Sequence, residues 1–345
     1  VLDSNPDVLS ELLDDELNAD PTTKRNLTNH LPMALVAKTR LGANEGELRR
    51  FAAAYSKRNA PLAPVQHPLT SNTWTTAIGQ KGASGDLRDY FSRSVNDVGV
   101  DNTLRAHLPF LLPGISGAAF HGAIRLAYAL EVASPIRIAA GLGYLAEVAP
   151  PLGPITPSPA TLDDPIELLI TYSRSHRWSS AADDNTIGER MSTVAHDEAF
   201  MSLPAALHLD EHTADRLADA ALAIFATTGD FTALHGVTGS AAIESLRPWL
   251  DDPSSLDLYL FQALAAAYLT IDAPALWSGE RQTEFVASNN TTLGEVELVG
   301  ANSDDEHVSK LIYTAHRLWV KTANPLYLAV AARKARLLPQ VSTDN

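Results

Sequence analysis

Helical periodicity runs along almost the whole chain, and strand-like alternation is nearly absent from it. Apolar residues return every three or four positions in stretches that open near Asn, Asp, Ser or Thr and close near Gly or Pro, as capped helices do. No repeated strand–helix unit and no glycine-rich nucleotide loop interrupts this pattern, so a bound flavin or nicotinamide fold is not expected. The fold class is therefore all-α: a single large multi-helical domain with long intervening loops. Its expected limits are residues 26–338, after an acidic helix and linker over 1–25 and before a tail over 339–345.

At 345 residues the chain can bury a sizeable core, and 45% hydrophobic with 19% charged residues is a globular composition. A formal net charge of −15 disfavours nucleic acid and anionic membranes as partners. The absence of cysteine excludes disulfides, thiolate metal sites and a cysteine nucleophile. Residues 1–20 have no basic start or secretory cleavage pattern and no apolar run reaches spanning length, so a cytoplasmic location is the expectation.

Chemistry has to be sought among the histidines. In Asp304-Asp305-Glu306-His307-Val308-Ser309-Lys310, acidic residues stand where helix N-termini favour negative charge. His307 and Lys310, three apart, share a face and can converge on one object. A surface helix with a solvated lysine fits the same spacing, and His316 falls on roughly the opposite face. His30 follows the capping residue Asn29 and precedes Pro32, which places it at a helix mouth. His121 is surrounded by Gly114, Gly117, Ala118 and Gly122, implying close approach by something else, or tight packing of a core histidine. His235 repeats the His-Gly arrangement. His208 and His212 have the spacing of a helical zinc pair but lack the correctly placed glutamate, and a surface pair is the competing reading.

The remaining segments supply candidate walls. Residues 59–85, containing His67 and Trp74, read as a long loop of the kind that lines pockets. Residues 148–164, with five prolines, read as a crossover. Residues 179–190 read as a polar loop, 193–201 as helix, and 279–303 as a loop or short hairpin. Helix 255–269 offers Tyr259, Phe261 and Tyr268 as pocket-lining aromatics.

Asn29-His30-x-x-Met33-Ala34-Leu35, Pro113-Gly114…Ala119-Phe120-His121-Gly122-x-Ile124-Arg125 and Asp305-Glu306-His307-x-x-Lys310 together resemble the questin oxidase-like family, over about residues 26–335. Its members cleave or oxygenate anthraquinone and related polyketide rings, some by Baeyer–Villiger-type chemistry. The resemblance implies a non-haem iron oxygenase or dioxygenase whose Fe(II) is held by His30, His121, His235, His307 and Lys310 as N6-carboxylysine. It leaves open a need for NADPH or another external reductant. Dioxygen and an aromatic, quinone-like small molecule are the implied partners. Neutral imidazole and carboxylate oxygen suit ferrous iron. Asp305, Glu306 and His316 are candidates to hold the ligating rings, since metal-bound histidines usually donate their other N–H to an oxygen. His107, Arg125, Trp74 and Tyr259 are candidates to bind substrate. Two other classes fit the same residues: a zinc-dependent hydrolase, and a metal-free helical binding or structural protein.

Overall fold

The computed structural model describes residues 6–180 and 185–338. The expected tail over 339–345, the first residues of the N-terminal segment and part of the polar loop expected over 179–190 lie outside them, and helix Ile187–Ala195 takes the last residues of that expected loop. Among the described residues there are 17 α-helices and one small two-stranded sheet, so the protein is all-α as its periodicity predicts. No helix among them is long and apolar enough to cross a membrane. Internal contacts divide the chain into two compact units, each assembled from separate segments.

The first unit comprises residues up to Ala63, Phe225–Gly229 and those from Leu276 onward. At its centre, helix Leu31–Arg40 packs against helix Glu306–Thr322. Met33, Ala34, Leu35 and Ala37 are wholly buried there. Lys38 is buried with them, and its ammonium donates to the carbonyl of Ala301 at 2.9 Å over the face of Phe51. Burial, followed by the repulsion of Arg50, pushes the Lys38 amine down to about 8. Ser309 Oγ donates to Gly300 O at 2.7 Å, so two side chains satisfy last-turn carbonyls of helix Leu293–Asn302. That helix, and Gly279–Ala287 before it, replace the loop or hairpin expected over 279–303. Both begin with a side-chain cap, Ser278 and Thr292, and Thr292 with Glu295 completes a capping box. Their short, exposed apolar faces weaken the periodic signal. The sheet was missed for a related reason. Asp20-Pro21 marks a break, yet Ala19–Thr23 pairs antiparallel with Asn59–Pro61, where an edge strand tolerates proline.

The second unit comprises Pro64–Ile224 and Asp230–Ala275. Helix Pro135–Glu147 packs against Ser84–Val98 and His121–Glu131. A Cβ on Gly143 would lie 3.0 Å from Arg88 N, and one on Gly117 only 1.6 Å from Val148 O. The small residues around His121 therefore admit the Val148–Ala149 backbone. Helix Phe231–Glu244 is capped by Asp230, whose carboxylate accepts the Thr232 and Ala233 amides at 2.6 and 3.3 Å. Asp230→Ala should cost about 1 kcal/mol, and Asp230→Asn most of an order less; thermal denaturation of the two variants checks this.

Candidate metal centre

The first unit brings His30, His307 and Lys310 together. His30 is the N-cap of Leu31–Arg40, and Asn29 performs the capping chemistry by accepting the Leu31 amide at 3.1 Å. Asn29 also donates to Glu16 and to the carbonyl of Asp20, each at 3.2 Å, and the His30 amide donates to the Tyr55 hydroxyl at 2.8 Å. Burial raises the Tyr55 phenol to about 12, so that oxygen stays protonated and neutral. The histidine is thus fixed at its backbone by residues from two further segments. Tyr55 carries no sequence signal of this role, because its hydroxyl partner is 25 residues away.

Helix Glu306–Thr322 supplies the rest, and its face geometry is the one predicted. Asp305 caps it: one carboxylate oxygen accepts the His307 amide at 2.8 Å and stands 3.1 Å from His307 Nδ1. The hydrogen bond from His307 holds the Asp305 carboxyl well below its usual range. His307 itself is pushed down, chiefly by burial, which favours the neutral ring. Its ring meets that of His30 edge-on with centroids 4.7 Å apart. Lys310, 1% exposed, ends 3.1 Å from His30 Nδ1. Burial pushes its amine down to about 8 against the opposing pull of Glu306 and Asp305. Glu306 lies 3.7 Å from His30 Nδ1 and 3.6 Å from Arg58. Asp305→Ala should lower metal affinity more than it lowers the melting temperature, because it removes both a helix cap and the acceptor that orients His307, and outer-shell losses of this kind cost about 10–100-fold in affinity. Titration with ferrous ion beside a thermal melt separates the two effects.

The second unit brings His121 and His235 together, ring centroids 4.7 Å apart. His121 opens its helix immediately after Ala118, Ala119 and Phe120, all left-handed with φ of 50°, 54° and 67°. Non-glycine residues adopt this conformation at a cost, and three in succession turn the chain sharply into the helix. That turn aims the Ala118 carbonyl at the ring, where it accepts a short hydrogen bond from His121 Nδ1. His235 Nδ1 donates in the same way to the Phe231 carbonyl at 2.7 Å. Carbonyl oxygens only accept, so each ring in its neutral form carries its proton on Nδ1 and its lone pair on Nε2.

Most of the other sequence candidates have partners of their own. His316 pairs with Glu297 at 2.8 Å. Arg125 is buried with its guanidinium over Tyr144, 5.9 Å from the ring centre. Tyr259 is half-buried on helix Ser254–Leu269. Trp74 and His107 are buried together in an aromatic cluster, and the His107 nitrogens are engaged by the Tyr90 hydroxyl and the Thr103 carbonyl. His208 and His212 do not share a helical turn. His208 follows a short 3-10 turn and pairs with Asp163 at 3.0 Å, while His212 precedes helix Thr213–Thr228 beside Glu211. Both are exposed, which leaves the surface-pair reading.

The donor set suits a first-row metal. His121, His235 and His307 each have Nδ1 tied to an oxygen, the arrangement that presents Nε2 to an ion. No curated protein matches the chain. The family description for questin oxidase-like proteins matches residues 27–315, a span that includes His30, His121, His235, His307 and Lys310. The chain belongs to the questin oxidase-like family.

Proposed function

We propose that this protein is a non-haem iron oxygenase acting on an aromatic, quinone-like or polyketide-type small molecule, with His30, His121, His235, His307 and Lys310 as the metal ligands. Family membership makes it an oxidoreductase. The observation that carries the metal reading is the shared anchoring of Nδ1 in His121, His235 and His307 to Ala118 O, Phe231 O and Asp305. A packed core histidine needs one satisfied nitrogen, but three rings with the same tautomer fixed by oxygen acceptors follow the habit of metal ligands.

Ferrous iron, when bound, supplies the one-electron chemistry that dioxygen needs to react with a closed-shell organic molecule. The protein's own residues prepare for it. Asp305, Ala118 and Phe231 hold three imidazoles in the ligating tautomer, and burial of His307 keeps that ring unprotonated. Burial also prepares Lys310, since only a neutral amine can add carbon dioxide; the product is an anionic carbamate, with one proton released. That anion offsets the charge of a divalent ion where a protonated lysine would repel it.

Iron analysis of purified protein and oxygen consumption with hydroquinone substrates test the reading. His121→Ala should remove most turnover while the chain stays folded. Turnover equal to wild type at the same iron occupancy would overturn the assignment. An iron-edge anomalous map should give a single peak per chain, and separate peaks at the two histidine groups would overturn the shared ligand set.

A further inference from the structure

Outside the histidines assigned to metal, the second unit buries a group whose chemistry exceeds what packing asks of it. Trp74 comes from the short 3-10 helix Trp74–Ala77, Tyr90 from helix Ser84–Val98 and His107 from helix Val100–Leu111. The Trp74 and Tyr90 rings are nearly parallel, 9° apart in plane with centroids 5.8 Å apart. His107 meets Trp74 edge-on at 4.9 Å. Its Nδ1 lies 2.6 Å from the Thr103 carbonyl and its Nε2 lies 2.9 Å from the Tyr90 hydroxyl. Because a carbonyl cannot donate, Nδ1 carries the proton of the neutral ring, Nε2 carries the lone pair, and the Tyr90 hydroxyl donates to it. A buried phenol is therefore hydrogen-bonded to a base.

The surroundings decide how such a phenol can be oxidised. The Arg93 guanidinium lies over the Tyr90 ring, 5.9 Å from its centre, and is itself held by Asp89. Removing an electron alone would leave a positive ring facing this cation. Burial pushes the phenol up, so losing the proton first is also disfavoured. Losing both together leaves Tyr90 neutral. His107 can take the proton: burial keeps it neutral beforehand, and the Thr103 carbonyl steadies the imidazolium formed.

We propose that Trp74, Tyr90 and His107 form a redox relay in which Tyr90 is a proton-coupled electron donor. A one-electron oxidant takes an electron from Trp74; Tyr90 refills Trp74 with one electron while its O–H bond breaks and the proton moves to His107 Nε2. The products are reduced oxidant, intact Trp74, a neutral tyrosyl radical and an imidazolium. Phe110, 58% exposed, packs edge-on to Trp74 at 5.7 Å, so the cluster extends to a surface where a soluble reductant can restore Tyr90. Its use rests on the oxygen chemistry proposed above, where oxygen-derived one-electron oxidants arise when substrate is missing and would otherwise attack the histidines.

The relay is testable without iron. The metal-free 345-residue chain is oxidised with photogenerated tris(bipyridine)ruthenium(III), and radicals are followed by transient absorption and electron paramagnetic resonance. A tyrosyl signal should form with a solvent deuterium isotope effect and disappear in Tyr90→Phe. His107→Gln still accepts the phenol's hydrogen bond but is not basic, and should slow tyrosyl formation at least about tenfold; Trp74→Phe should slow it as well. An equal tyrosyl signal in wild type and Tyr90→Phe, or equal rates in wild type and His107→Gln, overturns the relay. The isotope effect needs no substitution, so its absence overturns it even where a variant fails to fold. None of these results bears on iron binding, which keeps the two readings separable.

Discussion

Replacing Lys310 with arginine should abolish iron retention and aerobic turnover, whereas replacing it with methionine should abolish both while leaving the fold as stable as before. The contrast follows from where the amine sits. Lys310 is 1% exposed, 3.1 Å from His30 Nδ1, and its amine is pushed down to about 8 by burial. Roughly a tenth of it is neutral at pH 7, against a few ten-thousandths for an unperturbed lysine, and only that neutral fraction adds carbon dioxide. Carbamate content should therefore rise with pH as well as with bicarbonate. Arginine keeps its charge and offers no anionic oxygen. Methionine fills a similar volume and removes a buried cation, a change that is often neutral or stabilising. A purely structural lysine predicts methionine to be harmless to function too. Lys310→Glu supplies a carboxylate on a shorter chain and should retain part of the iron. Iron content, oxygen consumption and melting temperature, measured at fixed pH and carbon dioxide, decide among these, with the carbonyl signal from ¹³C-bicarbonate reporting the carbamate directly. Wild-type iron and turnover in Lys310→Met would exclude the lysine as a ligand.

How much of this was legible depends on how local each determinant is. The pairing of His307 with Lys310 follows from a spacing of three within one helix, and Asp305 announces itself as a cap by preceding a periodic run. The all-α class was equally plain, since helices such as Ser254–Leu269, apolar on every side, are too long to be strands. The contacts that fix the backbone of His30 were not legible. Tyr55, Glu16 and Asp20 reach it from other segments, and nothing in a tyrosine four residues after Phe51 says that its hydroxyl will receive a histidine amide. The turn before His121 was hidden for a different reason. Left-handed backbone is signalled by glycine or asparagine, and here it is made by Ala118, Ala119 and Phe120. Tertiary packing imposes it against local preference. The glycines around His121, which implied close approach by something else or tight packing, face the Val148–Ala149 backbone, because a missing side chain records close approach without saying what approaches.

Gly239 carries the second large effect, because its missing side chain is what lets Phe120 seat. A Cβ there would lie 2.5 Å from Phe120 Cγ and 2.6 Å from Cδ1, below any real contact. Phe120 cannot give way easily: it is fully buried, it is the last left-handed residue of the turn, and it directly precedes His121. Gly239 also lies one helical turn beyond His235, on the same face. Gly239→Ala should therefore press on the ring that sets the start of the His121 helix and part the two imidazoles, now 4.7 Å apart. Alanine recovers about 1 kcal/mol of helix propensity, but overpacking of this kind costs about 1–3 kcal/mol, so stability should fall or at best hold while iron affinity drops. Gly236 provides the control. It stands on the same helix beside His235, yet a Cβ there would meet only the end of Leu264 at 3.4 Å, an ordinary contact. Gly236→Ala should be neutral or stabilising. Shrinking the obstructing ring with Phe120→Leu should restore part of the loss in Gly239→Ala, a coupling that a double-mutant cycle in melting temperature and iron affinity measures. If alanine at 236 and at 239 behaves alike, Phe120 does not set the His121–His235 spacing, and the geometry of the pair has another source.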